Sequence, residues 1–233
     1  MSGLTAEEQI DSFKSVTRKY GSAVISGVLI ALIAFFGWNY WQKKQFSHAQ
    51  TETARVQQLM DEAQSLVGNK DAYTKLAPSA DVIIKKDIDS AQAIMAEFVM
   101  AKVAFDQGNY AAAEKELKKV QNVKVDDEGL LQLVNLRLAY AQTAQKKYDE
   151  ALKTLDLVKL PAFKASADEA RGDIYVAKND TAQAKKAYQS AWNATIARKT
   201  ERQILQIKLE SVGVLVDDPD IAGPILKTQV DES

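Results

Sequence analysis

Apolar residues divide the chain into a short N-terminal tail, one long apolar run and a long amphipathic remainder. The apolar run extends from Gly21 to Trp41 and contains no charged residue. An α-helix of this length can cross about 30 Å of hydrocarbon, which is the thickness of a membrane core. The pattern therefore predicts a tail over residues 1–20 and a transmembrane helix over residues 21–41.

The residues at the end of the run indicate that this helix stays in the membrane as an anchor. Trp38 and Trp41 stand at the end of the run, and Lys43 and Lys44 follow after Gln42. That order is typical of an aromatic belt with lysines at the membrane surface. A secretory signal peptide has a shorter apolar core and small residues at its cleavage site. A buried helix of a soluble core, the other alternative, would carry a polar stripe.

The charges on the two sides of the predicted membrane helix are balanced. Basic residues precede and follow the helix within similar distances, namely Lys14, Arg18, Lys19, Lys43, Lys44 and Arg55. The positive-inside rule therefore leaves the orientation open. Because Arg18 and Lys19 lie directly against the apolar run, we favour a cytoplasmic N-terminus.

The predicted membrane helix also carries small residues on one side. Gly27, Ala31 and Ala34 lie at positions i, i+4 and i+7, and so they share a helical face. Small residues let the backbones of two membrane helices approach closely. These residues are a candidate packing face for another membrane helix, although glycine and alanine are common in membrane helices generally.

The remainder of the chain shows a helical pattern almost throughout. Proline occurs at positions 78, 161, 219 and 224, and strong helix formers dominate between those positions. We expect a polar helix after the anchor to end near Gly68, with a break in the stretch from Gly68 to Pro78, and we place candidate helices around residues 49–66 and 73–87. Residues 42–90 are predicted to hold connecting helices and a candidate degenerate first repeat, residues 91–216 a repeat domain with a capping helix, and residues 217–233 a flexible tail.

Three segments of the repeat domain share a polar turn followed by the start of a helix. In each segment the second helix begins at Tyr110, Tyr148 or Thr181 and has an alanine three residues later. The segments are offset by 38 and 33 residues. Both offsets are close to the period of about 34 residues that is typical of tetratricopeptide repeats.

Small residues recur where the two helices of each repeat are expected to touch. They are Ala101, Ala139 and Gly172 in the first helices and Ala113, Ala151 and Ala184 in the second helices, with Leu117, Leu155 and Tyr188 one turn later. A terminal apolar stripe consists of Leu205, Leu209, Val212 and Val216. The pattern predicts an all-α protein in which the transmembrane helix precedes a tetratricopeptide-repeat-like α-solenoid; a plain helical bundle is the alternative.

Composition and motifs favour a protein that is not an enzyme. Lys and Arg number 30 and Asp and Glu number 31, which gives no indication of nucleic-acid binding. The chain has no cysteine, and so disulfides, thiolate metal sites and a cysteine nucleophile are excluded. Its one histidine, His48, has no second histidine with which to hold a metal. We therefore predict no cofactor, no metal site and no catalytic residue.

The first helix of each repeat would line the inner wall of such a solenoid. Counting along the repeats places a candidate protein-binding surface on this wall: Met95, Phe98, Lys102, Phe105, Leu133, Leu136, Arg137, Tyr140, Glu169 and Asp173. The first two repeats supply apolar and basic residues, and the third supplies acidic ones. This composition favours an extended or partly folded chain, or a partner protein, as the ligand. Phe98 and Leu136 are equally well explained as core residues.

Several segments resemble the YfgM family of ancillary subunits of the bacterial Sec translocon. They are Asn135-Leu136-Arg137-Leu138-Ala139, Ala151-Leu152-Lys153-Thr154-Leu155-Asp156 and Arg171-Gly172-Asp173. The resemblance runs from the tail to about Val212, and it implies a single-pass protein of the bacterial inner membrane with a cytoplasmic N-terminus and a periplasmic repeat domain. It also implies association with the SecYEG translocon and the chaperone PpiD, with exported polypeptides as further candidate partners.

Two functions are consistent with this resemblance. In the first, the repeat domain binds partner proteins beside the translocon and helps to pass newly translocated chains to periplasmic chaperones. In the second, the protein is a membrane-tethered regulator that sequesters or protects a cytoplasmic stress-response signalling protein. The tail over residues 1–20 would then be the contact, because Leu4, Ile10, Phe13 and Val16 lie partly on one face of a helix. A scaffold for an unrelated membrane complex is a third alternative.

Overall fold

A computed structural model describes residues 34–40, 51–198 and 203–216 of the chain. These residues form helices and the turns between them, and no β-strand occurs among them. The helices are α1 (51–65), α2 (Ala72–Lys86), α3 (Ala91–Asp106), α4 (Tyr110–Lys119), α5 (Glu128–Ala144), α6 (Tyr148–Leu155), α7 (Lys164–Ala177), α8 (Thr181–Arg198) and α9 (Gln203–Ser211), with a 3-10 turn at Pro161–Phe163 before α7. The chain divides into two units, which span Met1–Ala54 and Arg55–Ser233.

In the first unit, residues 34–40 form a short helical segment. Its aromatic side chains are exposed, and the rings of Phe35 and Phe36 meet edge to face with their centroids 5.8 Å apart. Gly27 and Ala31 of the predicted packing face lie outside the described residues, whereas Ala34 is described and exposed. Among the helices that the structure describes, none combines the length and the apolar character that a membrane span requires.

The second unit is a row of helical hairpins. Helix α3 packs against α4, α5 against α6 and α7 against α8, while α5 also contacts α3 and α7. The first helices of successive hairpins therefore lie side by side, and the hairpins stack into the α-solenoid that the repeat pattern predicts. Helices α1 and α2 share a buried cluster with α3, formed by Val56, Leu59, Leu76, Ala80, Ile83, Ala96 and Met100.

The turn inside each hairpin depends on one backbone conformation that recurs at the same place. Gly108, Lys146 and Asn179 have φ angles of 73°, 60° and 60°, which lie in the left-handed region. The residue after each of them donates its N–H to the carbonyl oxygen five residues earlier, over 2.8 to 2.9 Å. This is the Schellman ending of a helix, and it reverses the chain sharply. Glycine adopts the conformation without strain, whereas Lys146 carries a Cβ that disfavours it.

The break after α1 is shorter than the predicted stretch from Gly68 to Pro78, whereas α2 agrees with the candidate helix around residues 73–87. Helix α2 begins at Ala72, so that Pro78 lies inside it and does not end the break. Gly68, with a φ angle of 81°, lies in the turn between α1 and α2. A proline inside a helix removes one backbone hydrogen bond. Burial of Leu76 and Ala80 on the core side of α2 outweighs that local cost.

The predicted columns of small residues are buried where the helices of each hairpin meet. Each of these alanines is no more than 4% exposed: Ala101, Ala113, Ala139, Ala151 and Ala184. In the first two hairpins the larger residue one turn later is a leucine, Leu117 or Leu155, and both are buried. In the third hairpin it is Tyr188, whose Cε1 would lie only 2.2 Å from a Cβ atom placed on Gly172. Only glycine leaves room for the tyrosine ring.

The apolar stripe of α9 packs against α8. The buried cluster between these helices consists of Leu205, Leu209, Val212, Ala184, Tyr188, Ala191 and Trp192, with Val216 half-buried beside it. Another left-handed glycine, Gly213, lies in the turn that follows α9, and the N–H of Val214 donates to the carbonyl oxygen of Leu209 over 2.9 Å. The last described helix therefore ends in the same way as the first helix of each hairpin.

Candidate protein-binding groove

Two clefts open along the wall that the first helices of the hairpins form. The larger, of about 920 Å³, lies between α3 and the end of α1 with its following turn. The smaller, of about 170 Å³, lies between α3 and α5. Lys102 and Asp106 line both clefts, and their ion pair, 2.5 Å from Nζ to Oδ2, forms the ridge between them. We call the two clefts and this ridge the groove.

The structure brings part of the predicted binding surface together at the smaller cleft. Lys102, Phe105, Arg137 and Tyr140 all line it. Phe105 is 38% exposed and Tyr140 is 41% exposed, and so both rings present apolar surface to a ligand. Met95 of α3 is exposed as well. Residues from two different hairpins therefore contribute to one apolar and basic surface.

Other residues of the predicted surface pack into the core. Phe98 lies in the buried cluster of α3, α4 and α5, and Leu136 lies in that of α5, α6 and α7. Leu133 is half-buried against the first of these clusters. The wall of a solenoid is also the place where neighbouring first helices touch, and this contact buries Phe98 and Leu136. Of the two interpretations of these residues, the structure favours the core.

Phe98 nevertheless shapes the groove through its contact with Arg137. The guanidinium carbon of Arg137 lies over the Phe98 ring, 4.5 Å from the ring centroid. This cation–π contact holds the guanidinium at the edge of the smaller cleft. Burial lowers the pKa of Arg137, and the described residues provide it with no carboxylate partner. The side chain remains charged at neutral pH because the pKa of arginine starts far above neutrality.

The acidic residues of the predicted surface are bridged by a lysine from α9. Lys208 Nζ lies 2.6 Å from Glu169 Oε1 and 2.9 Å from Asp173 Oδ2. Tyr188 donates a hydrogen bond to Asp173 Oδ1 over 2.7 Å. Burial disfavours the charge on Lys208, but its hydrogen bonds to Asp173 and Glu169 raise its pKa above the ordinary value. A cationic ligand would therefore compete with Lys208 for these carboxylates.

Counting along the repeats missed two contributions to the wall, those of α1 and Lys208. Met60 and Val67 line the larger cleft and are 42% and 78% exposed. A signal for α1 was present, because Gly68 and Gly108 are both left-handed glycines at the end of a first helix, about one repeat apart. No comparable signal indicated Lys208, since α9 lies far from α7 along the chain.

A cluster of ionisable side chains is buried where α2, α3 and α4 meet. Glu97 is fully buried, and Lys119 Nζ lies 3.1 Å from its Oε1. Tyr73 and Lys119 both donate hydrogen bonds to Glu116. Burial and the neighbouring Glu116 raise the pKa of Glu97 to about 8, so that Glu97 is protonated at neutral pH and donates to Glu116. The negative charge of Glu116 is then paired with Lys119, which leaves the cluster neutral.

The residue types that line the groove indicate what kind of ligand it can contact. In the part of the chain that the structure describes, no group of three or more His, Cys, Asp or Glu side chains could hold a metal ion. His48 lies outside the described residues. Aromatic and aliphatic side chains line the groove together with the ion pair, the Arg137 guanidinium, Lys70 and several amide side chains, and such a mixture is typical of a protein-binding surface.

Comparison with known proteins identifies the family. A family model described as a tetratricopeptide repeat-like domain matches residues 14–214. Proteins named ancillary SecYEG translocon subunit are 30% identical in Aggregatibacter actinomycetemcomitans and 29% identical in Haemophilus influenzae, each over 88% of this chain and 97% of the relative. A protein of the same name in Escherichia coli is 26% identical over 89% of this chain and 96% of the relative. The chain therefore belongs to the family of ancillary SecYEG translocon subunits, and it contains a tetratricopeptide repeat-like domain.

Proposed function

We propose that this chain is a non-enzymatic accessory subunit of the SecYEG translocon. In this proposal the predicted helix over residues 21–41 anchors it in the bacterial inner membrane, with the N-terminus in the cytoplasm and the repeat domain in the periplasm. The repeat domain binds partner proteins and helps to pass newly translocated chains to periplasmic chaperones. Relatives of this name, matched over almost their whole length, support the association with the translocon. PpiD is the chaperone partner that the family resemblance implies.

The observation that carries the proposal is the open groove on the wall of the solenoid. Met60, Phe105 and Tyr140 expose large apolar side chains along it. A folded protein buries such surface, whereas a chain that has just crossed a membrane still exposes its apolar residues. An apolar groove that takes side chains from an extended segment is therefore suited to unfolded or partly folded exported chains.

Site-specific photocrosslinking in intact cells tests the groove. A photoreactive amino acid at Phe105 or Tyr140 should give adducts with exported chains, PpiD or subunits of SecYEG, because both residues line the smaller cleft. Val82 of α2 is the matched control, since it is apolar and 52% exposed but does not line either cleft. Equal adducts from Val82, or none from Phe105 and Tyr140, would contradict the proposal.

Topology is tested with single cysteines, because the chain contains none of its own. Lys85→Cys lies on α2, where the native side chain is 77% exposed. With the outer membrane permeabilised, this cysteine should react with an impermeant maleimide, whereas Ser2→Cys should react only after the inner membrane is opened. The reverse pattern would overturn the periplasmic assignment of the repeat domain.

Deletion of residues 2–12 separates the proposal from the regulatory alternative. Translocon association should persist in the deleted protein, because the groove and the membrane helix remain. If the tail is instead the functional contact, the deleted protein should lose its regulation of the stress response.

The small-residue face of the membrane helix is a proposed contact with another membrane helix. Replacing Gly27 and Ala31 by leucine should weaken co-purification with SecYEG or PpiD, because larger side chains separate the helix backbones. Leucine at Val28 and Ile30 is the control, since these residues are already large. Unchanged recovery of the partners would remove the packing face from the proposal.

A further inference from the structure

The smaller cleft of the groove has the size and lining of a site for one side chain. Its volume is about 170 Å³. A cavity of roughly 150 Å³ with apolar walls accommodates a benzene ring. Ala101, Ala113 and Leu117 line it with the small and apolar side chains of the hairpin contact, and the rings of Phe105 and Tyr140 line it as well. An aromatic ring is the side chain that matches this space and can pack against both rings.

Arg137 adds a charge without an acceptor to this apolar cleft. Its guanidinium is held over the Phe98 ring, and the described residues provide it with neither a carboxylate nor a hydrogen-bond acceptor. Lys102 on the same cleft differs, because it is paired with Asp106 over 2.5 Å. A positioned guanidinium with free N–H groups is suited to a carboxylate, which it can bind through two parallel hydrogen bonds.

The next junction along the wall offers no such site. Between α5 and α7 the wall presents Glu169 and Asp173, and Lys208 already bridges both carboxylates. An acidic ligand would meet like charges there. An acidic ligand is therefore expected at the junction of α3 and α5, where no carboxylate among the described residues pairs with Arg137.

We propose that the smaller cleft receives one aromatic side chain of an extended polypeptide and that Arg137 binds an acidic residue two positions away from it. This inference rests on the proposed function, because it specifies which residues of a bound polypeptide the groove prefers. In an extended chain, residues two positions apart point to the same side and lie about 7 Å apart. The ring enters the cleft between Phe105 and Tyr140, and the carboxylate on the same side of the chain reaches Arg137 at the edge.

Peptide binding to the full-length protein in nanodiscs tests the proposal. Three fluorescein-labelled peptides share a Gly- and Ser-rich frame and differ in their centre, which is Asp-Ser-Phe-Ser-Asp, Asp-Ser-Ala-Ser-Asp or Asn-Ser-Phe-Ser-Asn. Fluorescence polarisation gives the dissociation constants at low and high salt. We expect the change from Phe to Ala to weaken binding about ten-fold, because the ring loses its buried contact. The change from Asp to Asn should weaken it about five-fold at low salt and less at high salt.

Variants of the protein assign each preference to its residue. Arg137→Gln should bind the Asp and Asn peptides equally while still preferring Phe to Ala, and Arg137→Lys should keep part of the acidic preference. Tyr140→Ala should reduce the preference for Phe. Val176→Ala is the matched control, because Val176 is 44% exposed on α7 and does not line the smaller cleft. Thermal unfolding monitors the fold of every variant.

The outcomes separate this inference from the proposed function. Equal binding of the three peptides, together with crosslinks to exported chains from Phe105, would overturn the aromatic and acidic selection but leave the groove as the binding surface. An acidic preference that survives Arg137→Gln would overturn the role of Arg137. Absence of binding by every peptide, with no crosslinks from the groove in cells, would overturn both proposals.

Discussion

The two ends of the solenoid wall are built from the same repeat and yet present opposite surfaces. Near α1, α3 and α5 the wall is open, with two clefts that expose apolar side chains and a guanidinium that pairs with no carboxylate among the described residues. Near α7 it is closed, because Lys208 from α9 bridges Glu169 and Asp173. The two helices of a hairpin pack against each other at both ends, and the residues that face outward differ. Repeat identity therefore determines the shape of the wall, and local partners determine whether a ligand can use it.

The same two ends also differ in how they bury large residues and carboxyl groups. The first hairpin pairs Ala101 with Leu117, whereas the third pairs Gly172 with Tyr188. The first buries the carboxyl group of Glu97, whose pKa is raised, and the third pairs Glu169 and Asp173 with Lys208. Each difference can be altered by substitution, and the effects are expected to fall from about 3 kcal/mol to well under 1 kcal/mol.

The largest effect is expected where glycine meets tyrosine in the third hairpin. Gly172→Ala should lower the free energy of unfolding by about 3 kcal/mol, because its Cβ would lie 2.2 Å from a buried ring. Tyr188→Leu should also destabilise, because it leaves a cavity beside Gly172. The double variant recreates the alanine–leucine pairing of the other hairpins. It should be more stable than Gly172→Ala alone in urea unfolding followed by circular dichroism.

A double-mutant cycle makes this prediction quantitative. We expect the two substitutions to couple favourably by at least about 1 kcal/mol, because each one relieves the defect that the other creates. Ala139→Gly in the second hairpin is the control. Ala139 lies opposite Leu155, and a leucine cannot fill the space that the removed methyl group leaves. Additive effects of Gly172→Ala and Tyr188→Leu would show that the ring and the glycine are not matched.

The buried carboxyl group of the first hairpin should make stability depend on pH. The pKa of Glu97 is about 8 in the folded protein, whereas its ordinary value is 4.5. As the pH rises between these values, the unfolded chain releases the proton and the folded chain retains it. The free energy of unfolding should therefore fall across this range, by about 1 kcal/mol per pH unit, and then level off. Glu97→Gln stays neutral and should remove this slope.

Urea unfolding at pH 5, 6, 7 and 8 measures the effect. Glu116 does not contribute in this range, because its hydrogen bonds with Glu97, Lys119 and Tyr73 outweigh burial and lower its pKa. The stability that Glu116 contributes is lost only as the pH falls below its unfolded value. Asp126→Asn in an exposed loop is the matched control and should leave the slope in place. An unchanged slope in Glu97→Gln would show that another group is responsible.

Removal of Lys208 should open the closed end of the wall. Lys208→Met keeps the length of the side chain but leaves Glu169 and Asp173 without their bridge. Because the groups are partly exposed, we expect a loss of only about 1 kcal/mol. The freed carboxylates should bind a lysine-rich peptide more tightly than the wild-type wall does, and salt should weaken that binding. Lys186→Met on the exposed side of α8 is the control. Equal changes in stability and peptide binding in the two variants would show that the Lys208 bridge does not close the wall.

The smallest effect is expected at the turn of the middle hairpin. Lys146→Gly should raise the free energy of unfolding by about 0.5 kcal/mol, because glycine removes the strain of the left-handed conformation but adds freedom to the unfolded chain. Gly108→Ala, at the equivalent turn, should do the opposite and cost about 1 kcal/mol. Thermal unfolding of the two variants checks the pair. A destabilised Lys146→Gly would indicate that the lysine side chain makes contacts that outweigh its backbone strain.

The predictable parts of the fold are those that depend on residues close to one another in the sequence. Ala113 and Leu117 lie one helical turn apart, and both are buried as their repeat columns predict. Pro78 shows the limit of local reasoning, because burial of α2 against the core overrides the tendency of proline to end a helix. Phe98 and Leu136 show a second limit, since the same helical face can point to a groove or to a neighbouring first helix.

The candidate site was predictable only in part for the same reason. Phe105, Arg137 and Tyr140 follow from counting along the repeats, and they line one cleft. The volume of that cleft, and the absence of an acceptor for Arg137 among the described residues, depend on how α3, α4 and α5 pack. Both properties depend on the packing of several helices, and the residue pattern within one helix does not predict them.

The sequence by itself determined the helices, their turns and the hairpin contacts of this protein. These features depend on helical periodicity and on a repeat that recurs about every 34 residues, and both are local properties of the chain. Only the tertiary structure decided which part of the wall is open. Lys208 closes one end by reaching Asp173, which lies 35 residues earlier. Electrostatic pairing acts through space, and so residues distant in the chain decide which surface remains available to a ligand.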